Sequence, residues 1–279
     1  MQWAKIEVKL PEEDKEPLIG FLLGKGIHQW EEDNGLIIYL PYDISLKPFL
    51  LELVEFLVEN SGGGRWALVV SPIEERDWAR EWKEAFPPCK VGKKLVIKPP
   101  WAEYEAKEGE IVLEIEPRSA FGTGEHPSTR LALILLESYI KKGDLVIDVG
   151  CGSGILSLAS VLLGARKAIG VDIDERAVEE SRENAERLSV SDRVEFIRGN
   201  LLKDIPVGEA DIILCNIDLP SLRNLFPYLR YYLKRGGYLM ASGFTEEGFK
   251  LLEVPEYLEE VEREKEGDWL GVVWRMKEG

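Results

Sequence analysis

The sequence predicts an α/β protein: an open, largely parallel sheet with helices on both faces, preceded by a small α+β domain. Three observations predict it. From residue 111 onward, apolar runs of strand length alternate with helical patterns, as in a sheet wound through crossover helices. One of those runs passes into three closely spaced glycines and then a helix, at "LVIDVGCGSGILSLA", residues 145–159. The first 72 residues instead follow the order βαββαβ, which suits a ferredoxin-like fold.

The elements follow in order. Residues 3–10 alternate, with Ile6, Val8 and Leu10 on one face of a strand. Residues 14–24 read as a helix ending near Gly24 or Gly26. Residues 27–31 and 35–40 read as strands paired around "EDNG", an Asn-Gly hairpin signal. Residues 46–59 form a second helix with Phe49, Leu50, Leu53, Phe56 and Leu57 on one face, and "WALVVS" at 66–71 a fourth strand. "SGGG" at 61–64 is a turn within this domain. Residues 74–86 read as an amphipathic helix stopped by Pro87-Pro88. Residues 93–98 read as a strand and "PPW" follows at 99–101, so 73–104 bridges the domains. Beyond it, strands are expected at 111–115, 144–149, 167–172, 193–198, 211–215 and 236–242, and helices at 127–141, 154–164, 174–188 and 218–234. Residues 257–276 read as a hairpin turning at "EGD", which adds an antiparallel strand to the parallel sheet.

Composition limits the function. The 279 residues contain no apolar run long enough to span a membrane, and the amino terminus does not read as a secretory signal. The cysteines, Cys89, Cys151 and Cys215, are odd in number and far apart, which suits a reducing cytoplasm rather than a disulfide framework. Net charge is −16; residues 1–60 hold five basic and twelve acidic groups, whereas residues 61–100 hold eight and five. Such a surface repels phosphate backbones, so direct nucleic-acid binding is not expected, and it attracts a basic protein or an amine. Dense Glu/Lys/Arg mixtures such as "EEVEREKEG" are a thermophile's composition. With only His28 and His126, histidine triads and multi-histidine metal sites are not expected.

Gly150, Gly152 and Gly154 stand where an open α/β sheet binds ligands. A dinucleotide fingerprint needs G-x-G-x-x-G, and the third position here is Ile155; a phosphate-cradling P-loop needs Gly-Lys-Ser/Thr, which is absent. The next strand, "KAIGVDID", ends in Asp172 and Asp174. Asp172 lies where a carboxylate would receive a ribose diol, whereas Asp174 also reads as a helix N-cap. Asp148, just before the glycines, either holds loop N–H groups or faces a cationic ligand. Acids around a glycine loop without a basic phosphate clamp suit a cationic nucleoside, S-adenosyl-L-methionine.

Here "VIDVGCGSG" with Asp172 resembles the class I methyltransferases, over roughly residues 110–276. The resemblance implies a Rossmann-like sheet at 105–279 that uses S-adenosylmethionine. "EPRSAFGTGEHPSTR" at 116–130, "DWAREWKEAFPPCKVGKKLVIKPPW" at 77–101 and "LCNIDLPSL" at 214–222 resemble the family that methylates large-subunit ribosomal protein eleven. That resemblance implies a substrate-recognition domain at 1–72 and transfer to lysine or N-terminal amino groups of that basic protein, in the cytoplasm. By position it implies that Thr129, Gly150, Asp172 and Asn216 contact the cofactor, and that Phe121, Gly122 and Thr123 cover it. Gly152, Gly154 and Asp148 belong to the same cofactor motif. The block departs from the family's usual residues at Arg118, Ser119, Glu125, Pro127 and Ser128. Asn216 would orient the substrate amine. No aromatic follows it in "NIDLP", which fits an aliphatic amine better than a planar amide or base. Glu125, Asp218 and His126 are candidate proton acceptors, and Trp78, Trp82 and Trp101 read as packing.

Overall fold

The chain divides into two units, Met1–Ala85 and Phe86–Gly279. The structure is a computed structural model and describes residues 3–11, 14–25, 27, 30–32, 35–41, 46–60, 66–73, 87–117, 121–205 and 208–278. The helix expected at 74–86 with Trp78 and Trp82, the turn at 61–64, Asp33-Asn34 of the hairpin signal, His28, Arg118 and Ser119 lie outside the described residues.

The first unit runs β1 (Trp3–Lys9), α1 (Lys15–Gly24), β2 (Glu31–Glu32), β3 (Leu36–Pro41), α2 (Leu46–Asn60) and β4 (Ala67–Ile73). Its sheet has the order β2-β3-β1-β4 with antiparallel neighbours throughout, the ferredoxin-like arrangement. Alternation accounts for its core: Ala4, Ile6, Val8, Leu36 and Ile38 point to one face, where Leu18, Leu22, Leu53 and Leu57 of the helices bury them. Of the strand expected at 27–31, Glu31 is paired, as part of β2 at Glu31–Glu32, and Ile27 and Trp30 are not in a strand; His28 and Gln29 lie outside the described residues.

The second unit begins with a three-stranded sheet of β5 (Cys89–Val91), β6 (Leu95–Lys98) and β7 (Ile111–Glu114). This corrects the reading of 111–115 as a strand of the large parallel sheet. It pairs in parallel with β6 instead, Leu95 opposite Ile111 and Ile97 opposite Leu113. An apolar run announces a strand but not its neighbour. The chain continues through α3 (Pro127–Tyr139), β8 (Leu145–Val149), α4 (Ile155–Leu163), β9 (Lys167–Asp172), α5 (Glu175–Arg187), β10 (Val194–Arg198), β11 (Ala210–Asn216), α6 (Leu219–Tyr232), β12 (Leu233–Thr245), α7 (Glu246–Phe249), β13 (Leu258–Glu266) and β14 (Trp269–Met276).

The large sheet has the order β10-β9-β8-β11-β12-β14-β13. The chain enters in the middle at β8, steps outward to β10, then crosses to β11 and steps out the other way. The first five of these strands run parallel, and β14 joins β12 antiparallel, as the closing hairpin predicts. The direction of winding reverses between β8 and β11, so a crevice opens beyond their carboxyl ends. Both faces are covered. Val146, Ile212 and Leu214 pack with α3, α4 and α5, whereas Ile147, Ile213 and Cys215 pack with α6. Strands buried on both faces read as continuous apolar runs, which "LVI" and "IILC" are. Accordingly Ile213→Ala and Leu214→Ala, neighbours on opposite faces, should each cost about 2–5 kcal/mol in urea unfolding; a sheet with one wet face would tolerate one of the two.

Candidate functional site

The crevice is floored by the turn from β8 to α4. Gly150, Gly152 and Gly154 have φ of +72°, +52° and +80°. Each would also meet a neighbour if it carried a Cβ: Ile217 Cγ2 at 2.6 Å from position 150, the Phe121 carbonyl oxygen at 2.3 Å from 152, and Ser181 Cβ at 2.8 Å from 154. The alternate glycines thus let the turn lie between β11, the loop at 121–126 and α5.

Every backbone N–H of this turn has a protein acceptor. Gly150 and Cys151 donate to the Val171 carbonyl at 2.8 and 3.1 Å, Ser153 to the Phe121 carbonyl at 2.9 Å, and Gly154 to the Cys151 carbonyl at 2.8 Å. Gly152 donates to Asp172 Oδ2 at 2.9 Å. A phosphate site needs several convergent free N–H groups, and residues 150–154 leave none. The glycine spacing that excludes a dinucleotide therefore has a physical counterpart here.

Asp172 ends β9 beside the turn. Its Oδ1 accepts the Asp174 N–H at 3.0 Å while Oδ2 holds Gly152. Each oxygen retains a lone pair, and the residue is half-buried at the crevice. Asp174 is the N-cap of α5, accepting from the Arg176 N–H, so the capping role falls to Asp174 and Asp172 remains at the crevice.

Asp148 behaves differently. It is fully buried beneath the turn, and its Oδ2 accepts both the Ser157 N–H at 3.0 Å and the Ser157 hydroxyl at 2.7 Å. Neither sequence alternative describes it: it fastens the first turn of α4 rather than the glycine turn, and no solvent-exposed surface remains for direct contact with a cation. Among the described residues its Oδ1 has no hydrogen-bond partner. Burial, opposed by the Ser157 bonds and reinforced by the charge of Asp172, lifts its carboxyl from 3.8 to about 7.

Asn216 closes β11. Its Nδ2 donates to Thr129 Oγ1 at 3.2 Å, and its Oδ1 accepts the Ser242 hydroxyl at 3.1 Å. Thr129 and Ser242 are both fully buried, so the carboxamide is clamped from two sides. It does not cap α6; Asp218 does, accepting from the Ser221 N–H at 2.8 Å. Ser242 lies beside Asn216 in the parallel register of β11 and β12. Sequence reasoning missed it. Its only signal is a polar residue ending a strand, "LMASG".

The loop at 121–126 is stitched to the glycine turn through Ser153, which sequence reasoning also passed over. Ser153 gives its N–H to Phe121 and its hydroxyl to the Gly122 carbonyl at 2.6 Å, and Asn184 Nδ2 donates to the Ser153 carbonyl at 3.0 Å. Gly122 at φ +103° and Gly124 at φ +92° let the loop press on Ser153 and Ile97. Phe121 is 56% exposed. Its ring meets His126 edge-on at 5.2 Å, and His126 meets Trp269 at 4.4 Å. His126 is the N-cap of α3, its Nδ1 accepting from the Ser128 N–H; burial, then Arg130, lowers its pKa. Partial desolvation raises the Glu125 carboxyl, against the pull of Arg130. Phe121, Gly150, Asp172 and Asn216 are exposed or half-buried about the crevice, with Gly122, Thr129, Asp148, Gly152 and Gly154 packed behind them, whereas Thr123 lines a separate small pocket with Ile97, Lys98, Ile115 and Glu125.

Residues 29–277 match the model of the family described as ribosomal protein L11 methyltransferase. A ribosomal protein L11 methyltransferase of Caldanaerobacter subterraneus subsp. tengcongensis is 35% identical, over 99% of this chain and all of that protein. One from Pelotomaculum thermopropionicum is 40% identical over 86% of this chain and 78% of its own. A solved ribosomal protein L11 methylase from Lactobacillus delbrueckii subsp. bulgaricus superposes with a TM-score of 0.62 at 27% identity, covering 69% of this chain and all of that one.

The buried acid generates a prediction with a definite sign. Asp148 binds its proton more tightly folded than unfolded, so its contribution to stability is fullest below pH 3.8 and is lost as pH rises towards 7. That loss is roughly 1.4 kcal/mol per pH unit. Asp148→Asn removes it: relative to the parent, the variant should gain stability between pH 5 and pH 7, measured by urea unfolding at each pH. A constant difference would place the titrating group elsewhere.

Proposed function

The chain belongs to the ribosomal protein L11 methyltransferase family, and from that premise we infer that it transfers methyl groups from S-adenosylmethionine to amino groups of ribosomal protein L11. It is a protein methyltransferase, and its donor is S-adenosylmethionine. Within this chain the reading is carried by the closed glycine turn: with the five N–H groups from Gly150 to Gly154 spent, the polar group left facing the crevice is a carboxylate. That surface fits an uncharged ribose attached to a cation and refuses a pyrophosphate.

The donor supplies a methyl already activated on a sulfonium, so the chain's own task is alignment and exclusion of water. We assign Asp172 to the ribose hydroxyls, through the lone pairs its backbone bonds leave free. Gly150 gives the ligand access to the backbone. Gly152 and Gly154 hold the turn's shape, and Asp148 anchors it from below. Phe121, Gly122 and Thr123 form the cover, tied down through Ser153. The amine must arrive without its proton, against a solution pKa of about 8 for an α-amine or about 10.4 for lysine. Asn216 Oδ1 can accept an amine N–H and turn the lone pair towards the methyl, because Thr129 and Ser242 keep the carboxamide from rotating. His126 Nδ1 and Asp218 Oδ1 are spent on helix caps; of the three sequence candidates we assign proton acceptance to Glu125, whose carboxyl partial desolvation already raises.

We assign substrate recognition to residues 1–72, whose acidity would speed encounter with a basic ribosomal protein. In this assignment 73–104 leads into the methyltransferase domain at 105–279. A cytoplasmic place of action agrees with three unpaired cysteines, and among the described residues no helix is long and apolar enough to cross a membrane.

The reading is tested by incubating the full chain with isotopically labelled donor and unmodified L11. Mass spectrometry should find label on lysine or the amino terminus of L11; label on other ribosomal proteins but not on L11 would refute the substrate. Asp172→Ala should weaken donor binding by roughly 1.5–3 kcal/mol, as expected for loss of charge-assisted hydrogen bonds, and calorimetric titration measures it. An unchanged affinity would remove Asp172 from the ribose.

A further inference from the structure

A sheet edge left open invites another strand, and proteins commonly blunt such edges with charge or with shortness. This chain blunts its edges unequally. In the large sheet one edge is β13, "LEEVEREKE", and the other is β10, "VEFIR". The β10 edge carries ion pairs at Lys167–Glu195 and Arg198–Glu175, and Arg182 covers its Phe196 carbonyl. β5 and β7 carry Lys90 and Glu114, and β2 consists of Glu31–Glu32. The exception is β4, the outer strand of the first unit: seven residues, "ALVVSPI", without a charge, and with Val69 and Val70 exposed at 45% and 37%.

Proline sets which of its backbone groups are open. Pro72 stands opposite Ala4 and has no N–H to give β1. Backbone direction alternates along an antiparallel strand. Leu68 and Val70, in step with Pro72, therefore turn their N–H and C=O groups away from β1, and among the described residues no strand pairs with that side.

We propose that the β4 edge is a docking edge on which an extended, basic segment of L11 adds as a fifth strand, hydrogen-bonded to Leu68 and Val70. An extended partner is required because the complement of an open edge is another backbone. A basic one fits because the unit that contains the sheet, Met1–Ala85, holds nine basic and seventeen acidic groups, net −8. The same charge disfavours pairing of two copies. The proposal rests on L11 being the substrate.

Amide hydrogen exchange on the full chain, resolved by residue, tests it. Without L11 the amides of Leu68 and Val70 should exchange fast, and those of Val69 and Ser71, facing β1, slowly. Saturating unmodified L11 should slow Leu68 and Val70 at least about tenfold. Val69→Lys, opposite Glu7 and so compatible with the fold, should raise KM for L11 at least about tenfold while donor affinity is unchanged; Val70→Pro, which deletes an open N–H, should do the same where circular dichroism shows it folded. L11 that is bound and methylated while Leu68 and Val70 exchange freely overturns the docking edge. So does protection that grows with the chain's own concentration in the absence of L11, which would mean a second copy occupies it. L11 that is neither bound nor methylated refutes the substrate reading itself.

Discussion

The site depends on a mutual hold between one carboxylate and one turn. Asp172 accepts the N–H of Gly152 and the N–H of Asp174, so the turn after β8 fixes the acid at the end of β9, and the acid in turn fixes the turn. With Val171, Phe121 and Cys151 taking the neighbouring N–H groups, the turn is internally saturated. A glycine turn with free donors is an anion cradle; one whose donors are spent presents the lone pairs of its anchoring acid instead. The same strand–turn–helix geometry thus changes its ligand chemistry through where five hydrogen bonds go.

The surrounding parts are tied to that hold. Ser153, within the turn, bonds to Phe121 and Gly122 of the loop at 121–126 and receives Asn184 from α5. Movement of that loop is therefore coupled to the turn beside it. Across the crevice the amide of Asn216 is clamped by Thr129 and Ser242, which arise from α3 and β12. Three elements that are distant in sequence hold one side chain in one rotamer, the kind of support that alignment-driven catalysis requires. Beneath all of this, Asp148 leaves one carboxyl oxygen in the core without a partner among the described residues, a cost that a proton on the group reduces.

Charge is distributed with the same economy. The chain is acidic overall at −16, which suits a cationic donor and a basic protein substrate and discourages contact with phosphate backbones. Its exposed ion pairs, such as Arg198–Glu175, add little stability singly, but on sheet edges they keep other strands away. Where such charges are missing, as on β4, no strand among the described residues pairs with the outer side.

The sequence by itself determined the α/β class, the βαββαβ order of the first unit, the closing antiparallel hairpin, the glycine spacing that excludes a dinucleotide, the position of Asp172 and the capping role of Asp174. These are legible because periodicity, turn residues and helix caps act over a few residues, and the spacing from a glycine turn to the next strand end is fixed by one crossover. Tertiary structure alone decided that residues 111–114 pair with β6, that Asp148 lies beneath the turn instead of facing a ligand, that Ser242 braces Asn216, and that Trp269 meets His126. Each of these contacts joins residues that no local pattern connects. Strand register and the volumes of intervening side chains set which of them meet, and those are properties of the packed sheet.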